Sequence, residues 1–228
     1  MCGRLNVIEA PIVAFLAEFL GEVPFVESRG NVAPTEPVLA LRAETSGYNA
    51  ALMRWWLVPH WSTGPQHKFS MFNARAETLA SSPAYRDPFK SRRCVVPASG
   101  YFEWRKQNGQ SQPMYFEAEN GEALLFAGLW DEWRGPDGLL TSCTIVTTSA
   151  PTTTKAYHHR LPMMLTVDEV TTWIDPATAK DHLTQMMTPR LPSALTVVDL
   201  SPAVNNAREK DLAAQVKVSA PVVLPATL

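Results

Sequence analysis

The sequence predicts an α+β fold: a single compact domain, residues 1–228, built on a curved, mostly antiparallel, barrel-like sheet with a few flanking helices. Three observations carry this expectation. Short runs rich in branched and aromatic residues alternate irregularly with few helical segments. There is no regular strand–helix–strand spacing, no glycine-rich phosphate loop and no internal repeat. The 19 prolines suit many short connections, and no long Gly/Ser linker divides the chain.

The elements follow in order. "IEAPIVAFLAEFLG" reads as a helix, with Ile12, Phe15, Leu16 and Phe19 at helical spacing, Pro11 in the first turn and Gly21 after the end. "NVAPTEP" is turn material, and "VLALRAE" and "ALMRWWLVP" read as strands. "STGPQHKFS" is a polar loop. In "MFNARAETLASSPAYRDPF" the pattern passes from extended to helical after Asn73. "RRCVVPASGYFEWRK" reads as strand, turn, strand. "PMYFEAENGEALLFAGLW" carries a hairpin signal, two apolar runs around Asn-Gly. "LLTSCTIVTTSA" suits a buried strand. In "TVDEVTTWID" Thr166 and Glu169 stand at capping-box spacing, and Pro176 stops the helix. "AKDHLTQMM" is a short helix, "ALTVVDLS" a late strand, and the tail after Asp211 is mixed.

Bulk composition narrows the function. With 46% hydrophobic residues the chain can bury a core without staples. The formal net charge of −2 offers no global basic field, so any polyanion site must be a local patch. Three cysteines, Cys2, Cys94 and Cys143, with no CxxC spacing, argue against a disulfide framework or a four-cysteine zinc site and suit a reducing, cytoplasmic setting. Glu9 and Glu18 interrupt the early apolar run, so neither a signal peptide nor a membrane span is expected.

The chemistry begins at "MCGR". If the initiator methionine is removed, Cys2 carries a free amine and a thiol on adjacent carbons. The amine can form an imine with an aldehyde, and the thiol can then close a five-membered thiazolidine ring on the same carbon. Alternatively, the residue could serve as a hydrolase nucleophile with its own amine as base, or be incidental. Gly3 permits close approach, and Arg4 is either a surface charge or an anion clamp. If 73–75 is extended, Asn73 and Arg75 share one face and could meet a ligand together; the plain alternative is a strand end in which Glu77 pairs with an arginine. Glu103, between Phe102 and Trp104, is either a carboxyl with a raised pKa or an outward residue in ordinary alternation. "YHHRLP" offers His158, His159 and Arg160; histidine shuttles protons near neutral pH, but paired loop histidines also serve as plain hydrogen-bonders. No second His/Cys pair stands at ligand spacing, so no metal is expected, and nothing asks for a cofactor. Of the tryptophans in "RWWLVPHW", Trp55 or Trp56 belongs to the core, and Trp61, near the loop, could stack on a base.

Taken together, "MCGR", "NVAPT", "RWWLVPHW", "FNARAET", "RRCVVPASGYFEW", "HHRLP" and "AVNNAR" resemble the SOS-response-associated peptidase (SRAP) family, across nearly the whole chain. The resemblance implies covalent crosslinking to abasic sites in single-stranded DNA. Cys2, after Met1 removal, would trap the ring-opened aldehyde. Asn73 would orient the reacting group, Glu103 would transfer protons, and His158 would assist sugar ring opening. Arg4, Arg75 and Arg160 would contact phosphates and Trp61 would stack on a base. The implied partner is single-stranded DNA containing abasic sites, bound by a monomer in a positively lined groove. Trp56 stands where the family pattern usually has glycine, and "RLP" replaces the usual "RMP". Two other functions follow from the same residues: a cysteine peptidase, perhaps acting only on its own N-terminus, and a noncovalent DNA-binding module with an idle cysteine.

Overall fold

A computed structural model describes residues 2–65, 69–107 and 109–227. Its centre is a closed barrel of five strands: β3 (Pro37–Glu44), β4 (Gly47–Trp55), β6 (Arg93–Ala98), β9 (Leu124–Gly135) and β10 (Gly138–Ser149). The ring runs β10–β4–β3–β6–β9 and closes where β9 pairs with β10. Every junction is antiparallel except β4–β10, which is parallel. Its strands carry large fully buried side chains such as Trp55, Leu41, Met53 and Phe126.

A second, wholly antiparallel sheet has the order β14 (Val222–Leu224), β13 (Leu195–Asp199), β8 (Gln110–Ala118), β7 (Gly100–Gln107), β1 (Leu5–Val7) and β2 (Arg29–Val32). Three short strands extend the barrel: β5 (Asn73–Arg75) and β11 (Arg160–Pro162) on β10, and β12 (Met164–Leu165) on β9. The described residues hold four α-helices: α1 (Glu9–Ala17), α2 (Arg86–Ser91), α3 (Val167–Ile174) and α4 (Lys180–Met186). The α+β class and the barrel-like sheet are therefore as the sequence predicts.

Local chemistry explains several elements. α1 buries Ile12, Phe15 and Leu16, the stripe read from its spacing. The start of α3 is capped by Glu169, whose Oε2 accepts from Thr166 N at 2.9 Å. Buried Arg93 donates to the carbonyls of Phe89 and Lys90 in α2 and of Trp173 and Asp175 at the end of α3. One guanidinium thus satisfies the orphan carbonyls of two helix ends.

Three expectations are corrected. The Asn120–Gly121 turn exists, with Gly121 at φ 76°, but its flanking strands do not pair. β8 bonds to β7 and β13, while β9 bonds to β6, β10 and β12. Both edges of each strand are already occupied, so a local turn signal loses to distant partners. Residues 97–100 form no turn either: β6 ends at Ala98 and β7 begins at Gly100, so the chain steps from barrel to sheet almost without a break. After Asn73 the chain stays extended to Arg75, makes a single 3-10 turn at Ala76–Thr78, and enters α2 only at Arg86. The short strands β1, β2, β11, β12 and β14 have no counterpart in the sequence reading.

Candidate active site

The first residues are held by the second sheet. β1 lies between β2 and β7, with Leu5 opposite Tyr101 and Asn6 opposite Gly100. Phe102 N donates to Arg4 O at 3.1 Å, extending that pairing toward the terminus. Cys2 is fully buried. Its thiol lies 3.8 Å from Arg4 O. Met1, whose removal the crosslinking chemistry requires, lies outside the described residues.

Asn73 reaches the same point from the barrel. The base of the 56–72 excursion is pinched by Leu57 N to Met71 O (3.1 Å), and Ile145 N donates to Phe72 O (3.0 Å). β5 then runs parallel to β10, with Asn73 opposite Ile145. From there Asn73 Nδ2 donates to Cys2 O at 2.7 Å. Asn73 is buried, and its Oδ1 has no hydrogen-bond partner among the described residues. A buried amide oxygen with nothing to accept is a rare, costly feature that suits a ligand position.

Glu103 supplies the third wall. It is only 4% exposed; of the two readings, burial holds and outward alternation does not. Burial holds its carboxyl above the usual range. Burial likewise pushes the Cys2 thiol well up, and the charge of Glu103 pushes the same way, which places the two groups within electrostatic reach.

The histidine pair follows the turns at 151–157. The rings of His158 and His159 sit 4.3 Å apart. His158 Nδ1 lies 3.0 Å from both N and O of Arg160, and burial lowers the His158 pKa. His159 is exposed, and its charge acts on Glu103. His159 is therefore within electrostatic reach of Glu103, with the His158 ring beside it.

The expected phosphate contacts stand differently from one another. Arg75 is exposed and within electrostatic reach of His159, whose pKa is lowered chiefly by the neighbouring His158 and least by Arg75. Arg4 is half-buried: Nη1 donates to Asn31 Oδ1 (2.7 Å) and Val204 O (3.3 Å), and its guanidinium lies 5.5 Å from the Trp104 ring centroid. Arg160 grips Glu77 with both terminal nitrogens (3.1 and 2.9 Å) and donates to Thr147 Oγ1 and O. Glu77 does pair with an arginine, but with one 83 positions away rather than a local one, and a phosphate at Arg160 would share it with that carboxylate.

Trp61 is 57% exposed and lines a cavity of about 680 Å³ with Leu57, Phe69, Met71 and Tyr85. Tyr85 joins that cavity to the site, its hydroxyl 3.5 Å from both Met71 Sδ and Asn73 O. Trp55 is buried, and Trp56 is half-buried with its ring 5.6 Å from Phe72, directly before Asn73. Part of the polar loop at 62–70, residues 66–68, lies outside the described residues. Among the described residues no three His, Cys, Asp or Glu side chains cluster as metal ligands, and no helix is long and apolar enough to cross a membrane.

Sequence reasoning missed Asn31 and Asn6. Both are buried, and Asn31 has φ 53°. The signal available was an asparagine before a Pro-Thr turn, a residue type that tolerates the left-handed region.

A buried cysteine near the start of the chain, beside an amide and a carboxyl and bordered by a histidine pair, on a barrel joined to an antiparallel sheet, defines a thiol-bearing site assembled from distant segments. The model of the SOS response associated peptidase (SRAP) family matches residues 1–207, and the chain belongs to that family. It is 32% identical over 213 residues to the abasic site processing protein YoqW of Bacillus subtilis, covering 90% of this chain and 95% of that one. Over 157 residues it is 36% identical to the abasic site processing protein HMCES of Xenopus tropicalis, covering 58% and 47%. Its fold matches a crystal structure of a protein from Bacteroides thetaiotaomicron with a TM-score of 0.80 at 21% identity, covering 94% and 99%.

Proposed function

We propose that this protein processes abasic sites in single-stranded DNA by covalent capture through Cys2, exposed as the N-terminus when Met1 is removed. The observation that carries the reading is the 2.7 Å hydrogen bond from Asn73 to the Cys2 carbonyl, beside a buried Glu103. The names of the relatives, each an abasic site processing protein, support the substrate class.

The chemistry balances without a cofactor. The sugar opens to its aldehyde, a proton moving from the ring hydroxyl to the ring oxygen; His158, held neutral by burial, is the base suited to this. The Cys2 amine attacks the aldehyde carbon, forming the C–N bond, and the carbonyl oxygen leaves as water. The departing oxygen takes one proton from the amine and one from Glu103, whose carboxyl burial holds above the usual carboxylate range. The Glu103 carboxylate then takes the thiol proton as sulfur adds to the imine carbon, closing the thiazolidine. A raised thiol pKa favours this order, amine first and sulfur second. The Asn73 Oδ1 acceptor suits the terminal amine or a substrate hydroxyl. Arg75 and Arg4 would hold flanking phosphates and Trp61 an adjacent base, in a monomer working in the cytoplasm.

Purified protein with verified N-terminal Cys2, incubated with an abasic single-stranded oligonucleotide, is expected to give a heavier, denaturation-resistant species. Cys2→Ala should abolish the thiazolidine, and Asn73→Ala should slow capture about 10–100-fold. No such species from the wild-type protein would refute the reading. Catalytic cleavage of unrelated peptides, needing Cys2 at every turnover, would favour the peptidase the family name suggests. Unchanged DNA binding and biological effect in Cys2→Ala would favour a noncovalent module.

A further inference from the structure

The segment beyond residue 207, outside the family match, folds back on the arm that carries Cys2. Lys210 O accepts from Gly30 N at 3.2 Å. Lys210 Nζ reaches Asn31 O at 2.9 Å and the two oxygens of Glu36 at 2.6 and 2.8 Å. Gln215 and Asn6 exchange two side-chain hydrogen bonds: Asn6 Nδ2 donates to Gln215 Oε1 at 2.6 Å, and Gln215 Nε2 to Asn6 Oδ1 at 3.0 Å. Asn6 Oδ1 also accepts from Asn31 N at 2.9 Å.

Asn31 gathers these contacts. Its Nδ2 faces the carbonyls of Val204, Asn206 and Glu209 at 3.1, 3.0 and 3.0 Å, and its Oδ1 accepts from Arg4. One buried amide therefore ties the tail to the residue two places from Cys2. Gly30 records the same contact: a Cβ there would lie 2.7 Å from both Gln215 Nε2 and Lys210 O. Residue 30 must be small because the tail is pressed against it.

We propose that residues 209–215 are a clasp that positions the reactive terminus, acting through Asn6 and Asn31 on Arg4 and Cys2. The proposal deepens the covalent-capture reading and rests on it. Chain ends normally fray, and β1 is only three residues long. Capture needs sulfur, nitrogen and the Asn73–Glu103 wall in register, and a displacement of about 1 Å can cost about 100-fold in rate. A hydrogen-bond network centred on the buried Asn6 and Asn31 supplies that register. Gln215 and Lys210 are positioning residues; neither touches the reacting atoms.

The test uses the full chain with Gln215→Ala, Gly30→Ala and the double variant. Three quantities are measured: the capture rate at saturating abasic oligonucleotide, noncovalent affinity in a Cys2→Ala background, and the rate at which iodoacetamide alkylates Cys2, read by peptide mass. Each single variant is expected to slow capture about tenfold and to speed Cys2 alkylation, with affinity within about twofold. Because Gly30→Ala presses on both Gln215 and the Lys210 carbonyl, it displaces the same clasp that Gln215→Ala loosens, and the two changes should combine to less than the product of their single effects. Folded Gln215→Ala protein with wild-type capture and alkylation rates, or fully multiplicative effects, would overturn the clasp. If the wild-type protein captures no abasic DNA, the functional reading fails, while the alkylation rates still judge the clasp.

Discussion

Glu103 shows how a single residue sets both stability and chemistry. An exposed glutamate titrates near about 4.3, and burial holds this one higher. The folded chain therefore binds its proton more tightly than the unfolded chain. The stability it contributes is full below the unfolded pKa and is lost as pH rises through the folded one. Glu103→Gln should accordingly raise Tm at neutral pH, flatten the fall of Tm with rising pH above about 4.3, and slow capture. Thermal melts across pH, beside capture rates, check this; a Tm unchanged or lowered at neutral pH would contradict it. Glu77 behaves oppositely. Its hydrogen bond from Arg160 lowers its pKa, so the stability of that pair is present above the unfolded pKa and lost as pH falls through the folded one. Taken singly, Cys2, Asn73, Glu103 and the histidine pair each admitted a plain reading in the sequence; only the family resemblance of their segments, taken together, joined them. Asn31 was not legible, because its importance lies in partners more than 170 positions away.

At the scale of elements, the site depends on how closely β1, β7 and β8 approach. Gly100 sits where β7 leaves the barrel, and a Cβ there would lie 2.3 Å from Tyr115 Oη and 2.5 Å from Phe116 O. The second atom is backbone and cannot swing away. Gly100→Ala should cost at least about 1–3 kcal/mol, lowering Tm by roughly 2–4 °C per kcal/mol in a chain this size. It should also slow capture, since Asn6 pairs opposite Gly100. A melt within error of wild type would contradict this packing. Helices α1 and α3 were readable because their signals are local, a buried stripe in one and a capping pair in the other, whereas α2 begins later than the sequence suggests. The Asn120–Gly121 turn was readable too, but not the fate of its strands. Which edge a strand chooses depends on segments that local sequence does not see, and β8 and β9 chose different sheets. The five short strands carry too few residues for any periodicity to register.

For the molecule as a whole, barrel closure brings the site together. β10 takes β4 as a parallel neighbour at Ser142 and Cys143, then β5 at Ile145 to Thr147, so the chain between Trp55 and Asn73 leaves the wall and re-enters beside Cys2. Such pairing over long separations leaves no sequence signature, which is why the fold class was legible and the topology was not. The electrostatics also work at this scale. With a net charge of −2, the DNA affinity that the proposed function requires would come from local arginines, and Arg75 is exposed while Arg160 already holds Glu77. Binding should weaken with salt at about 0.7 per phosphate contact in log–log slope; Arg75→Ala should reduce the slope by roughly that amount and Arg160→Ala should instead lower Tm as well. Equal slopes for wild type and Arg75→Ala would remove Arg75 from the interface. The measurement closest to the central claim is the mass and thiol reactivity of the DNA-linked N-terminal peptide. The account predicts a mass equal to peptide plus opened sugar less one water, on Cys2, with a sulfur that no longer reacts with iodoacetamide. A link at a lysine, or at Cys2 with the thiol still alkylatable, would contradict it.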